Sequence, residues 1–94
     1  MLNVTRDAYL RLSEILSKRP ENVAARIVRR DGRLKLRRGR RRRGDEVFVH
    51  EGRTVLLLDQ HICEHLQGRI LDVRDTQDGP RLRFRRSKQQ QTQS

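Results

Sequence analysis

Apolar and polar positions divide the chain into short segments, and the densest apolar stretch runs from Gly44 to Asp72. Two apolar runs, Val47–Val49 and Val55–Leu58, flank Glu51-Gly52, where glycine supplies the positive φ of a tight hairpin. Asp59 then offers an oxygen to open a short helix, and Gly68 closes it. Upstream, Ala8, Leu12, Ile15 and Leu16 recur at helical spacing and predict a helix from Thr5 to Lys18. Thr5 caps it, Asp7 suits its N-terminal dipole and Pro20 stops it. This stripe reads as core rather than as a partner groove.

Val23 to Arg30 reads as a strand with Ala25 and Ile27 inward, and Asp31-Gly32 as a hairpin turn. From Arg33 to Arg37 the pattern alternates, with Leu34 and Leu36 on one face and Arg33, Lys35 and Arg37 on the other. Arg37 to Arg43 then places six arginines in seven positions. Their mutual repulsion predicts an exposed, mobile loop over residues 37–44. Two further strands follow the short helix. Arg69 to Arg74 turns Leu71 and Val73 to one face, and after a polar turn from Asp75 to Pro80, closed by Asp78-Gly79 and Pro80, Arg81 to Arg85 places Leu82 and Phe84 inward. Residues 87–94 read as a disordered polar tail. The expected fold class is therefore α+β and mainly β, in one domain over residues 1–86. It has about six short strands, a long N-terminal helix packed on a sheet, and a short second helix.

Composition narrows this picture. Ninety-four residues make one domain that buries roughly 60–65% of its unfolded surface, so the core is small. The aromatic residues are Tyr9, Phe48 and Phe84, which leaves aliphatic side chains to fill the interior. The net charge is +11 and unevenly spread: residues 26–44 carry +10 and residues 81–94 carry +5, while residues 45–80 carry −5. Such a charge dipole points to a polyanionic partner on one side. The single cysteine, Cys63, excludes an internal disulfide and fits a reducing compartment. With no long apolar leader and no stretch of membrane-spanning length, the expected location is the cytoplasm and no membrane partner is expected.

The order of helix, hairpin, Gly-Asp-x-Val-Phe, turn glycine, Val-Leu-Leu-Leu-Asp, short helix and Leu-x-Gly-x-x-Leu-Asp resembles the HesB-like family, the A-type iron–sulfur carriers and their relatives. Gly44, Asp45, Phe48, Gly52, Asp59, Leu66, Gly68 and Asp72 carry the likeness, which spans Asn3 to Phe84. It implies a compact β-sandwich or pseudo-barrel with the first helix packed outside. It also implies three cysteine ligands, one just past the first hairpin strand and two in a Cys-Gly-Cys near the C-terminus. Here those regions read Arg30-Asp-Gly-Arg-Leu-Lys and Phe84-Arg-Arg-Ser-Lys. Cluster iron requires thiolates, so the chain departs from the family's chemistry, and no cofactor or metal is expected.

Other candidate sites are weak. On a helix, His61 and His65 share a face while Cys63 lies nearly opposite, too few ligands for a closed zinc site. Cys63 reads as a small buried hydrophobe rather than a nucleophile, since no base shares its face. Asp72, Asp75 and Asp78 read as turn chemistry, their oxygens too sparse for a calcium loop. No phosphate loop, serine elbow or carboxylate pair points to an enzyme.

The basic surface is the main functional feature. Arg33, Lys35 and Arg37 line one strand face and Arg81, Arg83 and Arg85 another, while Arg38, Arg40, Arg41, Arg42 and Arg43 form the loop between strands. Arginine's planar fork suits phosphate oxygens, and the shortage of aromatic residues argues against base reading. The expected function is non-enzymatic binding of a nucleic-acid backbone or another polyanion through these residues. Two rivals are an accessory role in iron–sulfur cluster assembly and a structural or interaction domain with an acidic protein partner.

Overall fold

The computed structural model describes residues 1–86; the expected tail at 87–94 lies outside the described residues. The first strand, β1 (Asn3–Val4), is followed by helix α1 (Arg6–Leu16) and the hairpin of β2 (Ala24–Arg30) and β3 (Arg33–Gly39). A second hairpin, β4 (Glu46–His50) and β5 (Arg53–Leu58), leads into helix α2 (Gln60–His65), and the hairpin of β6 (Arg69–Thr76) and β7 (Gly79–Arg86) closes the fold. A four-stranded sheet has the order β3-β2-β5-β4 with β2 and β5 parallel. A three-stranded sheet has the order β1-β6-β7 with β1 and β6 parallel.

Local chemistry explains the element ends. Thr5 accepts the Ala8 N–H at 3.2 Å and so caps α1, as its sequence position predicts. Asp59 does the same for α2, taking the Ile62 N–H at 2.8 Å. Both short hairpins turn on two consecutive residues with positive φ, Asp31-Gly32 (51° and 75°) and Glu51-Gly52 (50° and 79°). That is the mirror-image turn whose twist matches paired strands. The helix ends at Leu16 rather than Lys18, with Ser17 as its C-cap.

Ala8, Leu12 and Leu16 of α1 are wholly buried, and the helix touches strands of both sheets. Val55, Leu56, Leu58, Leu66 and Leu71 complete a core that draws on both sheets. The opposite side of α1, with Arg6, Asp7, Leu10 and Glu14, is exposed. Among the described residues, no helix is long and apolar enough to cross a membrane.

Three expectations need correction. Asp75, Thr76, Gly79 and Pro80, read as a turn, instead extend β6 and open β7 as paired strand residues, because the hairpin closes on Gln77-Asp78 alone. β1 is a seventh strand; two residues carry no periodic signal, and its pairing with β6 joins segments about seventy residues apart in sequence. The arginine run does not begin a loop at Arg37. Arg37, Arg38 and Gly39 continue β3, pairing with Arg26, Ala25 and Ala24, so the exposed loop spans only 40–44. Backbone pairing along an open edge outweighs repulsion between side chains that stand in water.

Candidate polyanion interface

The register fixes which arginines share a face. Arg33, Lys35 and Arg37 lie opposite Arg30, Val28 and Arg26 of β2 and so occupy the outer face of the four-stranded sheet. Leu34, Leu36 and Arg38 occupy the other face with Ile27 and Ala25. On the three-stranded sheet, Arg81, Arg83 and Arg85 lie opposite Arg74, Asp72 and Ile70, while Leu82 and Phe84 pair with Val73 and Leu71 toward the core. The two basic rows therefore belong to different sheets, each turned away from the shared core. They do not join into one plate, because β3 and β7 are edge strands that do not pair with each other. Arg85 is also engaged: its Nε donates to Asp72 Oδ2 at 3.1 Å.

The arginine loop is anchored by a pair that the alternation pattern hides. Arg26 sits between Ala25 and Ile27 and is 4% exposed. It faces the outer side of the sheet, where Ala24 and Leu57 are also buried. Its guanidinium makes a forked contact with the Asp45 carboxylate, Nη1 donating to Oδ1 at 3.0 Å and Nη2 to Oδ2, and Nη2 donates to the Arg40 carbonyl at 3.1 Å. Asp45 Oδ2 in turn accepts the Arg42 N–H at 2.6 Å, and the Asp45 N–H donates to the Arg42 carbonyl at 3.1 Å. Residues 40–45 thus fold back over the outer sheet face instead of hanging free. Arg40 and Arg41 help to wall a hollow of about 250 Å³ above Ala24 and Leu57. The Arg26 hydrogen bonds hold the Asp45 carboxyl below the usual carboxylate range, and the same bonds raise the arginine. The one sequence signal was the Asp45-Glu46 pair that closes the run of cations.

Arg40, Arg41, Arg42 and Arg43 are exposed around this anchor, as are Arg33, Lys35, Arg37, Arg38, Arg81 and Arg83. The His61–Cys63–His65 segment is helical, and among the described residues no three His, Cys, Asp or Glu side chains converge as a metal site. Cys63 is half-buried. Burial, then the nearby Glu46 and Asp59 carboxylates, pushes its thiol up.

No family model and no curated protein sequence matches this chain. Solved structures do. SufA of Escherichia coli, described as involved in biosynthesis of iron–sulfur clusters, superposes with a TM-score of 0.75 at 21% identity, covering 90% of this chain and 84% of its own. The fold is HesB-like. IscA, solved with a [2Fe-2S] cluster, superposes with a TM-score of 0.60 at 18% identity, covering 92% of this chain and 85% of its own.

Within this HesB-like framework the residues that carried the sequence resemblance turn out to be structural. Asp45 anchors the loop, Asp59 caps α2, Gly44, Gly52 and Gly68 hold positive φ, and Phe48 and Leu66 are buried. Asp72 ties β6 to the start of α1, accepting the Thr5 hydroxyl at 2.9 Å and the Val73 N–H at 2.8 Å. The places where the family resemblance implies thiolates are the β2–β3 turn, flanked by Arg30 and Arg33, and the end of β7 at Arg85 and Arg86. Guanidinium groups are cationic and carry no free lone pair for iron, so this donor set does not fit a cluster.

Proposed function

We propose that the chain is a non-enzymatic accessory in iron–sulfur cluster assembly, one that binds a protein partner in the reducing cytoplasm and carries no cluster itself. One observation supports this reading: the chain has the HesB-like fold, while the two regions where the resemblance implies thiolates hold no cysteine and are lined by Arg30, Arg33, Arg85 and Arg86. With no thiolates in those regions, what the fold still offers a cluster-assembly partner is its surface. The test is a strain lacking the protein, grown with limiting iron. A cluster-dependent enzyme should lose activity relative to a cluster-free one, and both the natural chain and Cys63→Ser should restore it. Unchanged activity ratios would count against the assembly role.

A second reading rests on the anchored loop. Four exposed arginines on a pinned backbone, beside the row on β3, form a ready phosphate-binding surface at lower ordering cost than a floppy arm. Binding to RNA or duplex DNA should weaken with salt, each neutralised duplex phosphate adding about −0.9 to the log–log slope. Replacing Arg40–Arg43 by glutamine should lower affinity and flatten that slope. Affinity equal to that of an unrelated protein of the same net charge would end this reading.

A further inference from the structure

The two sheets leave an open groove between edge strands β3 and β7, floored by α1. Leu36, Ile15 and Leu82 line it, and it forms adjoining hollows of about 230 and 370 Å³. Leu36 is 38% exposed, an unusual degree for an apolar side chain on the core-facing side of its sheet. Arg11, Arg38 and Arg81 stand on the rim, against one carboxylate, Asp78. Arg11 lies 3.9 Å from Glu14 in an exposed pair that screens it weakly.

The two edges are not equivalent. β7 carries Pro80 at the groove, and proline has no N–H to offer an incoming strand. β3 has no proline over its seven residues and presents one continuous unpaired edge. We infer that an extended acidic peptide with apolar side chains at alternate positions adds as a fifth strand along β3, its apolar side seated on Leu36, Ile15 and Leu82 and its carboxylates on the arginine rim. Period-two alternation is what this geometry demands, since successive side chains leave a strand on opposite faces.

Other occupants fit less well. A second copy would bring another +11 chain against a cationic rim. Residues 87–94 contain no apolar residue to fill the floor. A nucleic acid would meet the rim but leave the apolar floor unused. This inference goes beyond the assembly role and does not depend on it: the groove could bind its peptide while cluster enzymes stay unaffected, and the reverse.

The experiment titrates the full chain into a labelled, end-blocked eight-residue peptide alternating glutamate and valine, followed by fluorescence anisotropy. Saturable one-to-one binding is expected, with amide shifts in NMR spectra concentrated on Arg33–Gly39. N-methylation of alternate peptide bonds removes backbone donors and should weaken binding about tenfold. Leu36→Glu, at a part-exposed site, should weaken it by about the same factor. Arg38→Glu provides a second groove variant if Leu36→Glu does not fold. Equal affinity for the N-methylated peptide would overturn the inference. So would displacement by RNA together with indifference to both groove variants, which would leave only a general polyanion surface.

Discussion

At the scale of single residues, Arg26 and Asp45 decide how the basic surface is presented. Both side chains are at most 5% exposed, and Arg26 Nε is buried without a partner among the described residues. Removing one partner of such a pair strands the other charge in a dry site. Asp45→Ala should therefore lower unfolding stability by about 3 kcal/mol in urea titration, whereas Arg26→Met with Asp45→Leu should cost much less. The pH dependence follows from the same group. A carboxyl whose folded pKa is depressed adds stability that is present above its unfolded pKa, near 4, and lost as pH falls through the folded value. Asp72 behaves likewise, held down first by the Val73 N–H and then by the Thr5 hydroxyl, with Arg85 adding to it. Thermal stability should fall below about pH 4, with a shallower acid limb in Asp45→Asn and Asp72→Asn. The raised Cys63 thiol should alkylate more slowly than a free cysteine at pH 8.

At the scale of elements, legibility tracked how local the cause is. The caps at Thr5 and Asp59 and the turns at Gly32 and Gly52 act within four residues, so the sequence announces them. The extent of β3 does not follow from its own residues. Arg37–Gly39 are held by partners at Ala24–Arg26, and a charge run alone reads as a loop. Arg26 escaped for a related reason. Strand alternation assigns it to the solvent side, and only the fold-back of residues 40–45 buries that side. One turn carries a testable mismatch, since Glu51 holds φ 50°, a region disfavoured for glutamate. Glu51→Asn should raise stability by about 1 kcal/mol, read from the denaturation midpoint at constant slope.

At the scale of the whole molecule, two sheets with a common core divide the positive charge between two outer faces. The mainly β fold class with two helices was readable from the spacing of apolar residues. The separation of the arginine rows was not, because it depends on which sheet each hairpin joins, and hairpin patterns say nothing of that. With +11 on 94 residues, self-repulsion should oppose the compact state. Raising salt from about 0.1 to 0.5 M should then increase Tm, and a falling Tm would mean that ion pairs outweigh repulsion. The chain has the HesB-like shape but no cysteine in the regions where the resemblance implies cluster ligands. Anaerobic incubation with ferrous iron and sulfide, followed by desalting, absorption spectra and iron analysis, tests most directly whether it holds a cluster. Substoichiometric iron and no thiolate-to-iron charge-transfer bands are expected; stable bands with stoichiometric iron, abolished by Cys63→Ser, would show a cluster held without the three cysteines.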